Sequence, residues 1–195
     1  MIATGIGGVL FITTFVVLGV LAPDYNSMRQ TISEIELTAL GLGQRINFFV
    51  FGLLLTAFAV ALKRELNGGR AGWLIPLFQL ISALGVIGDA VFIHMPLHLV
   101  FDLIAFNATL VVLFLFAWRF RGDARWKGWT AYSILTAVLM MLFLTAFGFA
   151  NHLGGPAGLM EKLATVVRTV WSVLLTVRLL AGVRLDEVSP KQQLA

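Results

Sequence analysis

Six stretches of the chain are continuously apolar, with neither the alternation of a half-buried strand nor the one-sided stripe of a helix on a soluble core. They cover residues 2–22, 46–62, 71–88, 96–118, 128–150 and 163–180. Crossing about 30 Å of hydrocarbon takes roughly 20 helical residues at 1.5 Å each, and every stretch lies in or next to that range. The second closes at Lys63, Arg64 and Glu65, and the third runs from near Trp73 to Gly88 and Asp89. The fourth reaches spanning length only if it starts at Pro96, a residue suited to the first helical position, and this start places His98 and Asp102 inside the helix. The sixth carries Arg168. The pattern predicts an all-α polytopic membrane protein: a six-helix transmembrane domain over residues 1–185 and a polar tail over 186–195. The first stretch ends in Val20-Leu21-Ala22, which offers a small residue for signal cleavage. It lacks a basic leader, is too long and precedes Pro23, so it is read as a retained helix.

Between the first two stretches lies the longest connection. Within residues 26–42, Met28, Ile32, Ile35 and Leu37 recur near helical spacing, which predicts a short amphipathic segment lying on the outer surface. Thr31-Ile32-Ser33-Glu34 reads either as a helix cap and first turn or as the lining of a pocket over the bundle. Ala57/Ala61 and Ala146/Ala150 are small pairs at close-packing spacing. Asn67-Gly68-Gly69 and Gly154-Gly155-Pro156 read as turns.

Composition narrows the classes further. Apolar residues make up 59% of the 195 and charged residues 12%, about half the usual quarter; mean hydropathy is +0.92. A soluble domain could not hide that much apolar surface behind so few charges. Disorder, a nucleic-acid module and a secreted disulfide scaffold are excluded, and the absence of cysteine removes thiolate metal sites and redox dithiols.

The charges are sorted by end. With six spans, Lys63, Arg64, Arg70, Arg119, Arg121, Arg125, Lys127, Arg178, Arg184 and Lys191, ten of the 14 basic residues, share one side with both termini. Lys and Arg accumulate in cytoplasmic loops, so both termini are expected in the cytoplasm, in a cell membrane. Trp73, Trp118, Trp126 and Trp129 mark span ends on that side as interfacial anchors. The opposite side collects Asp24, Glu34, Glu36, Asp89, Asp102, Glu161 and all three histidines, and candidate chemistry is expected only there.

His98 and Asp102 stand one turn apart on one face, at a depth where an ionisable group needs a partner or a wet cavity. Arg168 must likewise snorkel or meet a carboxylate, and an Arg168–Asp102 contact, direct or through water, is expected. Tyr25, Ser33, Glu34, Arg45, Asp89, His98, Asp102, Glu161 and Arg168 form the candidate ligand-binding set. Ser33, His98 and Asp102 are the candidates for catalysis, should there be any. His94, His98 and His152 are weak metal candidates, so no cofactor is expected. Haem lacks ligands on two facing helices, and Lys162 lies too near a helix end for a Schiff base.

The series Ala22-Pro23-Asp24-Tyr25, Thr31-Ile32-Ser33-Glu34, Gly88-Asp89 with His98 and Ala105-Phe106, then Gly158-Leu159-x-Glu161-Lys162 ahead of Trp171, resembles the prokaryotic membrane family called domain of unknown function 998. That family is similar to the Frag1/DRAM-like group of six-helix proteins. The resemblance implies six helices and a prokaryotic cytoplasmic membrane, and it brings no activity. The chain departs from the family pattern at Gly88, where a proline is usual, and at Lys162, where arginine is common. Three function classes follow. The first is a protein binding a lipid headgroup or small polar ligand in a pocket built from the first loop and the ends of helices three, four and six. The others are an intramembrane hydrolase or transferase acting on lipid, and an accessory subunit of a larger membrane complex. The expected partners are membrane lipids, a small-molecule ligand or a membrane complex, and no nucleic acid.

Overall fold

A computed structural model describes residues 2–66, 69–93 and 96–185. His94 and the tail over 186–195 lie outside the described residues. Six helices carry the chain: α1 (Ile2–Leu21), α2 (Gly41–Glu65), α3 (Leu74–Val91), α4 (Pro96–Arg119), α5 (Trp129–Leu153) and α6 (Ala157–Leu180). No strand occurs among the described residues. Helices α2 to α6 are each long and apolar enough to cross a membrane, and α1 contributes the apolar stretch Gly5–Leu21. Each helix touches the next and α1 touches α6, so the six close into a ring.

Side chains such as Leu10, Val20, Leu103, Leu142 and Val177 remain exposed on the outside of the ring, as a lipid solvent permits. The interior holds two apolar cores. One, toward the basic end, gathers Phe58, Leu62, Phe116, Trp126, Trp171 and Leu175. The other, toward the acidic end, gathers Phe11, Phe15, Phe48 and Phe51 with Ile32 and Ile35 of the first loop. Helices α3 and α4 approach most closely at Gly85, where a Cβ would stand 2.7 Å from the backbone nitrogen of Ala105. The expected small pair fails at Ala57, which is exposed. Glycines on inward faces set the close approaches instead.

Pro96 opens α4 as its rigid φ suggests. Helices α2 and α6 start earlier than charge counting allows, because Arg45, Glu161 and Lys162 are tolerated just beyond their first turns. Helix α3 runs past Gly88 to Val91, with Asp89 turned inward at 2% exposure. Trp73 and Trp118 are exposed at the basic end, but Trp126 is a core residue rather than an interfacial anchor. It stacks on Phe120 at 4.3 Å and donates to the Arg184 carbonyl.

The first loop departs from the expected surface helix. Its only helical piece is a short 3-10 turn over Ser33–Leu37. Ile32 and Ile35 are fully buried, whereas Met28 and Leu37 stay exposed, so the loop plugs the ring with two side chains instead of lying flat on it.

Candidate functional site

The plug is fastened to the start of α6. A helix begins with N–H groups that have no partner inside it. In α6 those of Gly158 and Leu159 donate to the carbonyls of Arg29 and Met28 at 3.0 Å each. In return the Ile32 N–H donates to Glu161 Oε2 at 2.8 Å, and Lys162 Nζ donates to the carbonyls of Ser27, Gln30 and Gly158. Tyr25 donates its hydroxyl to the carbonyls of Gln30 and Thr31. Burial, reinforced by the nearby charges of Glu161 and Glu34, holds that phenol well above its ordinary range, so it acts as a neutral donor.

Thr31 and Glu34 form a capping box. The Thr31 N–H donates to Glu34 Oε2 at 2.6 Å, and the Glu34 N–H donates to Thr31 Oγ1 at 3.3 Å. Ser33 Oγ pairs with Thr31 Oγ1 at 3.1 Å. Of the two readings for this tetrapeptide, the cap is the one the geometry forms. Tyr25, Ser33, Glu34 and Glu161 therefore hold the loop. Ser33 has its hydrogen bond within the loop and none to His98 or Asp102, so the catalytic trio drawn from the sequence is not assembled.

Beneath the plug, Asp89, His98 and Asp102 converge. One donor atom from each lies within 4.8 Å of the others. His98 Nε2 stands 3.8 Å from Asp102 Oδ2, too far for a hydrogen bond. The carboxyl groups of Asp89 and Asp102 lie within electrostatic reach of each other. Arg168, 7% exposed, sits 5.2 Å from the ring centre of Phe106 and 5.9 Å from that of Phe51. It lies within electrostatic reach of Asp89, Asp102 and Glu161. The expected Arg168–Asp102 contact is thus a shared cluster, and among the described residues no ion pair within 4.0 Å joins Arg168 to a carboxylate. His152 is exposed at the end of α5 and stands apart from the donors that gather around His98.

A recess of about 170 Å³ opens beside the plug, lined by Glu36, Gly41, Leu42, Arg45 and Ile93. The walls come from the first loop, the start of α2 and the chain leaving α3, rather than from α4 and α6 as expected. Both carboxylate oxygens of Glu36 are buried there with no hydrogen-bond partner. Burial, opposed by Arg45 and reinforced by Asp102, raises the Glu36 carboxyl to about 8. Arg45 is exposed at the rim. Glu36 is the residue that sequence reasoning passed over. The signal was present, since the Thr31-x-x-Glu34 spacing commits Glu34 to a cap and leaves Glu36, next to buried Ile35, without a local partner.

Two larger spaces lie at the other end of the bundle. A groove of about 510 Å³ between α2 and α3 is lined by Ala59, Val60, Lys63, Arg64, Trp73, Pro76, Leu77 and Leu80. A second of the same volume runs between α5 and α6 past Trp129, Leu174 and Arg178. Both are mostly apolar slots. In the second, Arg178 is already engaged, donating to the Arg125 carbonyl and lying over the rings of Trp126 and Trp129.

Residues 5–178 match the family model described as Protein of unknown function (DUF998). No curated protein and no solved structure matches the chain.

Proposed function

Since the chain belongs to the DUF998 family, a family of unknown function covering residues 5–178, we propose its role from the site: binding of a zwitterionic, amine-bearing lipid headgroup in the recess at the acidic end. One observation carries this reading. Glu36 presents two buried, unpartnered acceptors on the floor of a recess whose rim holds the Arg45 guanidinium. A buried acceptor without a donor costs about 1–3 kcal/mol, more if charged, and a ligand ammonium recovers that loss. Arg45 complements a phosphate beside the amine. Leu42 and Ile46, both exposed on α2, give the attached chains an apolar path into the bilayer. The excess of Lys and Arg at the opposite end supports a cytoplasmic placement of both termini, with the recess in the outer leaflet of a cell membrane.

The test is lipid retention by the purified protein in native mass spectrometry, from vesicles holding phosphatidylethanolamine, phosphatidylcholine and phosphatidylglycerol in equal parts. Ethanolamine lipid is expected to be retained over the other two, because choline has no N–H to donate and glycerol no cation. Glu36→Gln should abolish the preference, whereas Arg45→Gln, which removes a partner for the phosphate common to all three lipids, should weaken retention of all three. Equal retention of the three lipids by the wild type, or a preference unchanged in Glu36→Gln, would refute the reading. The Glu36 carboxyl must shed its proton to receive an ammonium. Affinity is therefore expected to rise with pH up to about 8 and level off above it.

A further inference from the structure

We infer that Asp89, His98 and Asp102 form a binding site for one divalent transition-metal ion of the zinc type. This stands on observations separate from those behind the headgroup reading. Asp89 is 2% exposed and its Oδ1 has no hydrogen-bond partner. Both ring nitrogens of His98 are buried and unpartnered as well. Groups like these normally find partners, and here three sets of lone pairs face one another across less than 4.8 Å. Ligands held at about 2.0–2.2 Å from zinc stand about 3.4 Å apart in a tetrahedron. Separations within 4.8 Å lie about 1.4 Å or less from that spacing, a change of the size that side-chain rotation supplies.

The chemistry of the donors selects the ion. One imidazole with two carboxylates suits zinc or manganese better than magnesium or calcium, which favour oxygen alone. Charge points the same way. Asp89, Asp102 and Glu161 all lie in reach of a single buried guanidinium, Arg168, and outnumber it. A divalent cation offsets that excess inside a low-dielectric bundle, where unbalanced carboxylates are costly. Three protein ligands leave a fourth position free for water or for a ligand entering from the acidic end.

The full chain, purified in detergent and stripped with chelator, is titrated with Zn²⁺ alone, and bound metal is measured by calorimetry and elemental analysis. About one zinc per chain is expected. His98→Ala and Asp89→Asn should each weaken binding at least about tenfold, as losing a group that supports a metal commonly does. His98→Ala alters a partly exposed side chain in the first turns of α4 and decides the matter should Asp89→Asn not fold. Wild-type protein that takes up no zinc, or a His98→Ala variant that binds it unchanged, overturns the site. A failure here with the ethanolamine-lipid preference intact removes the metal alone. Zinc binding that survives loss of that preference leaves the metal site standing.

Discussion

Glu36 and Glu161 show how neighbours decide what a buried carboxylate does. Glu161 accepts the Ile32 N–H and holds the plug, while Glu36 has no hydrogen-bond partner and faces the recess; burial raises the Glu36 carboxyl to about 8. A carboxyl that binds its proton more tightly folded than unfolded adds stability below its ordinary value near 4.5, and that contribution is lost as pH rises through about 8. The thermal midpoint of the wild-type protein without added lipid is therefore expected to fall between about pH 5 and 8. Glu36→Gln should flatten this slope, since the amide does not titrate. A slope unchanged in Glu36→Gln would assign the titration to another group.

The helices were legible as elements because lipid demands about 20 apolar residues in a row and water does not. Their ends were less so. Charge counting stopped α6 short of its true start because Lys162 and Glu161 look out of place in hydrocarbon, and only the folded first loop supplies the carbonyls and the N–H that satisfy them. The same loop reads as a short amphipathic segment, but the spacing of its apolar residues does not reveal that only Ile32 and Ile35 insert. The seam between loop and α6 also explains Gly158, where a Cβ would collide with the carbonyl of Gln30. Gly158→Ala is expected to cost about 1–3 kcal/mol through overpacking, read as a lowered thermal midpoint. Gly148→Ala is the control, because a Cβ there meets nothing within 4 Å and alanine favours a helix interior. Equal midpoints for the two variants would mean that the seam is loose.

Taken whole, the molecule is a closed ring of six helices with most basic residues at one end and most carboxylates at the other. That polarity was readable from the chain, as were His98, Asp102, Asp89 and Arg168 as neighbours, because helical spacing and the end of each span place them at one level. The recess was not readable. Its walls come from three separate segments, and Glu36 matters only because nothing in the fold pairs with it. The two larger apolar grooves at the basic end offer lipid chains a competing place to lie. An experimental structure of the wild-type protein in bilayer discs containing phosphatidylethanolamine separates these sites directly. The predicted result is headgroup density in the recess, with its amine against Glu36 and its phosphate against Arg45. Lipid confined to the basic-end grooves, with Glu36 closed directly onto Arg45, would contradict it.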